Sequence, residues 1–128
     1  MILHLDTHVV VWLYAGDRSR FPHRALAALD HGRLVYSPAV RLELAFLHEI
    51  NRIRVGAVEI LSYLRDRIGL VPDDIPYLVA VGAAESLSWT RDPFDRLITG
   101  SASAGSQPLL TRDTLIRANY PGAVWDDK

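Results

Sequence analysis

The first sixteen residues, MILHLDTHVVVWLYAG (residues 1–16), decide the fold class. MILHLD is a short apolar run that ends at a carboxylate, which is typical of a buried strand that delivers a polar residue at its C-terminal end. THVVVWLYAG follows as a candidate helix, and Gly16 is its expected C-terminal cap. A buried strand followed at once by a helix is the repeating unit of a parallel sheet, so this stretch predicts an α/β fold.

The alternation of short apolar runs and helical patterns continues along the chain. Ser37 and Pro38 mark one helix start clearly, because serine caps helices and proline suits the first helical position. Further helices are predicted in FPHRALAALDHG, SPAVRLELAFLHEINR, AVEILSYLRDRI and YLVAVGAAESL, and from Pro93 onward. Further strands are predicted at LVYS, GLVP, PLLT and AVWD. Strands that alternate with helices predict a parallel sheet that helices cover on both faces.

The composition bounds the class of protein. A chain of 128 residues suits one domain, 1–128, and it contains no internal repeat, low-complexity tract or linker. Because it has no cysteine, disulfide bonds and thiolate metal sites are excluded, and a reducing cytoplasm is a compatible location. The apolar run at 9–15 is far shorter than the roughly 20 residues that cross a bilayer. No basic segment precedes it, so neither a membrane span nor a signal peptide is expected.

Two carboxylates, Asp6 and Glu43, occupy positions where an acid is unusual. Asp6 ends the first strand, where an acid that only caps the following helix is the alternative. Glu43 falls on the same helical stripe as Val40 and Leu44, which places its side chain on the apolar face. A carboxylate there is costly unless it is paired or bound to a cation, although an edge position would let it reach water. Both residues are therefore candidates for chemistry.

The stretch TRDPFDRLITGSASAG, residues 90–105, contributes two more acids. Asp92, Pro93 and Asp95 fit the N-cap, N1 and N3 positions of a helix, so a capping box explains both acids without any function. We favour capping for Asp92. Asp95 lies in the first helical turn, which also directs its carboxylate toward the ends of the strands. Asp113, two residues past PLLT, is ambiguous alone because aspartate is common in turns.

Four acids, Asp6, Glu43, Asp95 and Asp113, each lie just after a strand or near the start of the next helix. A parallel sheet would bring them to one edge, where polar chemistry gathers. Crowded carboxylates repel each other unless some are protonated or a cation neutralises them, and hard cations such as Mg²⁺ or Mn²⁺ prefer oxygen ligands. Such a site could bind a phosphodiester and activate a water for hydrolysis.

Three arginines adjoin these acids in sequence. Arg91, Arg96 and Arg112 are candidates for contacting the phosphate of a substrate, although an arginine that only solvates a helix surface is the alternative for each one. The net charge of −1 argues against binding duplex nucleic acid through the whole surface. Any phosphate binding is therefore expected to be local.

The motifs together resemble a known family. LDTHVVVW, SPAVRLELA, RDPFDRLI, PLLTRD and YPGAVW resemble, in order and over essentially the whole chain, the PIN domain of VapC-like toxins. The resemblance implies a three-layer α/β/α sandwich around a parallel sheet of four to five strands, and an endoribonuclease that depends on Mg²⁺ or Mn²⁺. It also implies a homodimer and a cognate antitoxin that blocks the acidic pocket and contacts DNA, in the cytoplasm.

The resemblance implies roles for individual residues. It places the metal-binding and catalytic acids at the positions of Asp6, Glu43, Asp95 and Asp113, with Thr7, Asp92 and Thr111 in support. One departure is the segment SLSWTRDPFD, where Trp89 and Arg91 stand before the DPFD motif and could alter the groove for RNA or antitoxin.

Apolar residues on the first helix bear on association. Val11, Trp12 and Tyr14 offer more apolar surface than a lone small domain needs to expose, so we expect them to contribute to a homodimer or to an antitoxin groove.

Other readings are open. A receiver domain would need a lysine after a late strand, and Lys128 lies past every predicted strand. His4, Asp6 and His8 form an H-x-D-x-H run that could bind a transition metal, although a helix beginning near Thr7 would break that register. A noncatalytic nucleic-acid-binding module with the same fold is the main alternative. Neither a G-x-G-x-x-G motif nor a P-loop is present, which argues against nucleotide binding.

Overall fold

The computed structural model describes residues 1–126, and Lys128 lies outside them. Five strands and seven α-helices alternate along this part of the chain. The strands are β1 Ile2–Leu5, β2 Arg33–Tyr36, β3 Val71–Pro72, β4 Leu109–Leu110 and β5 Ala123–Val124. The helices are α1 Thr7–Ala15, α2 His23–His31, α3 Pro38–Glu49, α4 Ala57–Ile68, α5 Tyr77–Glu85, α6 Pro93–Ala104 and α7 Thr114–Asn119. A single 3₁₀ turn, Arg18–Arg20, separates α1 from α2.

The sheet is parallel throughout, in the order β3-β2-β1-β4-β5. The chain builds outward from β1 on one side, through β2 and β3, and then crosses over to place β4 on the other side of β1. The strand order therefore reverses between β1 and β4. In open parallel sheets, ligands bind outside the carboxyl ends of the strands at this reversal point. The predicted three-layer α/β/α sandwich is confirmed, with five strands.

The core consists of the aliphatic side chains of the central strands and the inner faces of the helices. Leu3, Leu5, Leu109 and Leu110 are fully buried, as expected for strands covered on both faces. No helix within residues 1–126 is long and apolar enough to cross a membrane.

Helix boundaries follow local chemistry that the sequence made visible. The Ser37 side chain accepts a hydrogen bond from the Ala39 backbone N–H at 3.1 Å and so caps α3. Gly16 ends α1 in the left-handed conformation, with φ of 73°, as predicted. Helix α3 stops earlier than its apolar pattern because Asn51 adopts a positive φ of 62°.

Helices α5 and α6 pack closely through small residues. A side chain at Gly100 would meet the Ala80 carbonyl oxygen at 2.9 Å and the Ala84 backbone nitrogen at 3.0 Å. Glycine is therefore required there for the two backbones to approach. The segment GSASAG is thus part of a helix-packing face. This close packing fixes the position of α6, whose first turn carries Asp95.

Helix α7 was not predicted, because its six residues are too few to establish a helical period. It begins at Asp113, whose side chain accepts a hydrogen bond from the Ile116 backbone N–H at 2.9 Å. Asp113 is therefore the N-cap of a short helix and not only a turn residue.

Candidate active site at the carboxyl edge of the sheet

Asp6 lies at the centre of the carboxyl edge of the sheet, directly after β1, and only 4% of its surface is exposed. One carboxylate oxygen accepts a hydrogen bond from the Thr7 backbone N–H at 2.8 Å. The other accepts a hydrogen bond from the Thr111 hydroxyl at 2.6 Å. Burial raises the pKa of Asp6, and the Thr111 and Thr7 donors oppose this rise. Residues after two neighbouring strands, β1 and β4, thus hold one carboxylate in a fixed orientation.

Glu43 reaches the same edge from α3. It lies half-buried beside the fully buried Val40 and Leu44, so its expected place on the apolar stripe is confirmed. The Thr7 hydroxyl donates a hydrogen bond to its carboxylate at 2.5 Å. Burial raises the pKa of Glu43, the Thr7 bond opposes the rise, and the negative charge of Asp6 adds to it. Thr7 therefore links Asp6 and Glu43, one through its backbone and one through its side chain.

Asp92 and Asp95 have separate roles in the geometry of α6. The exposed Asp92 side chain accepts hydrogen bonds from the backbone N–H groups of Phe94, at 2.8 Å, and Asp95, at 3.2 Å. The Asp92 backbone N–H donates to the Thr90 hydroxyl at 3.2 Å and not to Asp95. The reciprocal half of the expected capping box is therefore not formed. Asp92 alone caps the helix, which leaves the Asp95 carboxylate out of the cap.

Asp95 has a strongly perturbed acid–base equilibrium at this edge. Its pKa rises to about 7, first because the carboxyl is partly buried and then because of the negative charges of Asp92, Asp6, Asp113 and Glu43. All four neighbours act in the same direction. An uncompensated carboxylate inside such a group is unfavourable, so the site favours either a proton or a bound cation.

The acids lie close enough to affect one another's charge, but they do not form a closed set of metal ligands. Within residues 1–126, no three His, Asp or Glu side chains are arranged so that they could already hold a metal ion. Asp6 and Asp113 instead open onto a cavity of about 330 Å³. Its lining consists of Asp6, His8, Trp12, Arg112, Asp113 and Thr114. Glu43 and Asp95 do not line this cavity.

The three candidate arginines differ in their surroundings. Arg112 forms part of the cavity wall beside Asp113. The Arg96 Nε–H donates to the Leu87 carbonyl oxygen at 2.9 Å, so one edge of its guanidinium is already bonded to the backbone. Arg91 is exposed at the entry to α6. Trp89 is partly buried against the core, so this departure from the family pattern serves packing at least in part.

His4 and His8 do not form a metal site with Asp6. His4 is buried, with its Nε2 2.6 Å from the Gln107 side-chain oxygen and its Nδ1 3.7 Å from an Asp73 carboxylate oxygen. His8 is exposed on α1. The helix that begins at Thr7 breaks the strand register and separates the two imidazoles.

The aromatic residues of α1 are partly covered within the chain, so they offer less free apolar surface than expected. Trp12 packs against Phe21 and Trp125, with ring centres 6.1 Å and 6.0 Å away. Tyr14 packs edge-on against Tyr63 at 5.2 Å. Their burial follows from the helices that surround α1, which its own sequence could not reveal. Large exposed apolar side chains lie instead on α3 and α5, among them Leu42, Phe46, Tyr77, Leu78 and Val79.

Sequence reasoning did not assign His8 and Trp12 to the site. They are one helical turn apart on α1, and their rings lie 6.0 Å from each other. The i, i+4 spacing after the strand-ending Asp6 was the available signal, because it places both side chains above the carboxyl edge of the sheet.

Comparisons with known proteins identify the family of the whole chain. The sequence model of the PIN domain family matches residues 3–120. Ribonuclease VapC22 of Mycobacterium tuberculosis (strain ATCC 25618 / H37Rv) is 30% identical over 131 residues, which cover 94% of this chain and 96% of the relative.

Two solved structures share the fold at low sequence identity. The crystal structure of VapBC2 from Rickettsia felis bound to a DNA fragment from their promoter aligns with a TM-score of 0.66 and 16% identity, over 98% of this chain and 100% of the other. DNA-bound VapBC from Salmonella typhimurium aligns with a TM-score of 0.61 and 15% identity, over 96% and 95%.

Proposed function

The chain belongs to the PIN domain family, and from this premise we propose that it is an endoribonuclease that hydrolyses RNA phosphodiester bonds with Mg²⁺ or Mn²⁺, as the toxin of a toxin-antitoxin pair. The full-length similarity to a protein named as a ribonuclease supports the reaction. The similarity to VapBC assemblies supports the fold on which that reaction takes place. We take residues 1–128 as one domain and its location as the cytoplasm.

The observation that carries the proposal is the surroundings of Asp95. Its partly buried carboxyl lies among four other acids at the point where the strand order reverses, and its pKa is about 7. Such a group of like charges is relieved either by protonation or by a cation, and a cation allows all of the carboxylates to stay ionised. An all-oxygen donor set suits Mg²⁺ or Mn²⁺, and Mg²⁺ keeps several of its waters, so a site that is not a closed protein cage fits this ion.

We assign the metal-binding and catalytic role to Asp6, Glu43, Asp95 and Asp113. A bound Mg²⁺ or Mn²⁺ would supply a water of lowered pKa and a charge that neutralises the phosphodiester. The carboxylates would hold that ion, and Asp95, whose pKa is about 7, would have to lose its proton in order to bind it.

The supporting residues fix the orientation of these acids. Thr111 and Thr7 orient Asp6, and Thr7 also orients Glu43, which leaves those carboxylates few alternative positions. Asp92 caps α6 and so places Asp95 in the first turn. We assign phosphate contact to Arg112 and Arg91 before Arg96, since Arg96 already donates to the backbone.

We further propose that the protein forms a homodimer and binds a cognate antitoxin, and that it meets DNA only through that antitoxin. The exposed apolar side chains of α3 and α5 supply the surface, with Tyr77 70% and Leu78 82% exposed. A Leu78→Glu variant should lower the mass in multi-angle light scattering from that of a dimer to that of a monomer. A monomeric wild-type protein at every accessible concentration would contradict the dimer.

The test of the proposed reaction is incubation of the purified protein with total RNA, with and without millimolar Mg²⁺ or Mn²⁺, followed by mapping of the new ends. We expect defined cleavage sites that require the metal and disappear with chelator. Asp30→Asn is a matched control for substitutions of the site acids, because it also removes one negative charge, from an exposed position on α2 that lies away from the site. Metal-independent cleavage would contradict the metal assignment.

The alternative function is a noncatalytic nucleic-acid-binding module with the same fold. It predicts RNA binding without new ends at any metal concentration. The same experiment therefore separates the two functions, provided that RNA binding is measured on the same samples.

A further inference from the structure

The wall of the cavity beside Asp6 and Asp113 has a composition that metal binding does not require. Besides the two acids, the lining contains an indole, an imidazole and a guanidinium, those of Trp12, His8 and Arg112. The Arg112 guanidinium carbon lies 5.7 Å from the centre of the Trp12 ring, within the range of a cation–π contact. Aromatic rings interleaved with arginine are the groups on which proteins stack unpaired bases.

The backbone connects this wall rigidly to the acids. Arg112 stands between Thr111, which donates to Asp6, and Asp113, whose backbone N–H donates to the Thr111 hydroxyl at 3.0 Å. Trp12 is anchored from behind by Phe21 and Trp125. The wall and the acids therefore keep a fixed relative position, which a subsite for a reacting chain requires.

Positive charge is available on this side to meet the phosphate of a substrate. The acids repel phosphates, so a substrate needs local cations beside them. Arg112 lines the same cavity as Asp6 and Asp113, and the Arg20 guanidinium carbon lies 5.2 Å from the centre of the Trp12 ring. Arg20 is partly neutralised by Asp17 at 2.9 Å, which leaves Arg112 as the main cation of this cavity.

We propose that Trp12 and Arg112 form a nucleotide subsite beside the cleaved bond, in which one unpaired RNA base stacks against the Trp12–Arg112 pair and Arg112 contacts the adjoining phosphate. The cavity of about 330 Å³ is in the range of small-molecule sites, about 300–1,000 Å³. This inference rests on the proposed ribonuclease function. Its consequence is that the substrate is single-stranded at this position, because a base held in a duplex cannot present its face to a protein ring.

The test compares steady-state cleavage of a short single-stranded RNA that contains a mapped cleavage site. Arg112→Gln and Trp12→Leu should each raise KM about tenfold or more and change kcat far less, since stacking and phosphate contact act on binding. Arg112→Lys should recover only part of the affinity, because it keeps the charge and loses the planar group. Annealing a complementary strand should abolish cleavage at that site.

If these residues had only a structural role, removing one base from the RNA and substituting the residue would have independent effects on KM. We therefore expect that an abasic nucleotide at one position next to the cut raises KM for the wild-type protein, and that it adds little further in Arg112→Gln or Trp12→Leu. The matched control is Arg67→Gln. Arg67 lies 4.8 Å from the Tyr63 ring in an equivalent cation–π pair on α4, and neither residue lines the cavity.

The outcomes separate this inference from the function on which it rests. If the wild-type protein cleaves no RNA, the proposed function fails. If it cleaves RNA and every abasic position has additive effects with both variants, the subsite is wrong. The same holds if the variants weaken only antitoxin binding. Should Trp12→Leu fail to fold, the exposed Arg112→Gln and the abasic series on wild-type protein decide the question.

Discussion

Two carboxylates near the carboxyl edge of this sheet, Asp73 and Asp95, differ in their neighbours. Asp73, just after β3, has a side chain that is only 3% exposed, and it lies 3.7 Å from His4 and accepts a hydrogen bond from the Ile75 backbone N–H at 3.2 Å. Asp95, at the start of α6, is half-buried among four other acids. Burial raises the pKa of both groups, but for Asp73 the backbone bond and the His4 imidazole oppose the rise.

The difference teaches how to separate a structural acid from a functional one. A buried carboxylate that accepts a backbone hydrogen bond and lies beside a basic group is stabilised in part by the fold itself. A buried carboxylate whose charged neighbours all have the same sign is accommodated only by a proton or an external cation. The Asp73 pair is therefore expected to matter for stability, and the Asp95 group for activity.

The largest expected effect tests the functional side of this comparison. Asp95→Asn should reduce RNA cleavage by orders of magnitude, because it removes a carboxylate from the proposed metal site. It also removes one negative charge from a crowded group, so the metal-free variant should be at least as stable as wild type at neutral pH. Cleavage assays and denaturant melts measure the two quantities.

The result that would contradict this assignment is a metal-free Asp95→Asn protein that is less stable than wild type and cleaves RNA at a near wild-type rate. Asp95 would then be only a first-turn residue that favours the helix dipole. Millimolar Mg²⁺ should also raise the melting temperature of wild type more than that of the variant, by mass action.

The strand ends and helix starts were largely predictable from the sequence, because they depend on local chemistry. Asp6 at the end of β1, Ser37 before Pro38 and Asp92 before Pro93 are signals that act within a few residues. Glu43 was predictable from its position on an apolar stripe, which is a property of one helix. From these features the sequence predicted that the four candidate acids share one edge of the sheet.

The rest depends on contacts between distant segments. The bond from Thr111 to Asp6 joins residues after two different strands, and the burial of Trp12 requires Trp125 from the other end of the chain. The half-formed capping box at Asp95 follows from the path of the chain before α6, where Thr90 takes the Asp92 N–H. No local pattern encodes such relations.

The second prediction tests the structural side of the comparison. Asp73→Ala should lower the free energy of unfolding by about 1–3 kcal/mol, since it removes a buried acceptor and leaves His4 without its neighbour. Cleavage by the folded protein should stay near the wild-type rate. A matched comparison is Asp74→Ala at the neighbouring exposed aspartate, which should be nearly neutral. If Asp73→Ala instead lost most of its activity and kept wild-type stability, the sites of Asp73 and Asp95 would not be separate.

The third prediction concerns the pH dependence of stability. The pKa of Asp95 is raised from its ordinary 3.8 to about 7 in the folded protein. Between these values the folded state binds more protons than the unfolded state, so this group makes the protein less stable as pH rises from about 4 to about 7. Burial raises the pKa values of Asp6 and Glu43 as well, and they contribute with the same sign.

The measurement is the difference in free energy of unfolding between Asp95→Asn and wild type, without metal, at about pH 5 and about pH 8. The difference should favour the variant more at the higher pH. A difference that does not change with pH would mean that Asp95 is ionised throughout, and that its neighbours do not perturb it as the geometry requires.

The smallest expected effect belongs to Asp92. This residue lies next to the acids around Asp95, but like Asp73 it has a structural role. Its carboxylate caps α6 through two backbone N–H groups, and asparagine caps helices about as well as aspartate. Asp92→Asn should therefore change the free energy of unfolding by no more than a few tenths of a kcal/mol, whereas Asp92→Ala should cost about 1 kcal/mol. Cleavage should remain within a few-fold of wild type in Asp92→Asn. If Asp92→Asn instead reduces cleavage as strongly as Asp95→Asn, the Asp92 charge takes part in binding the metal, and the functional group extends from the buried edge of the sheet to the exposed cap of α6.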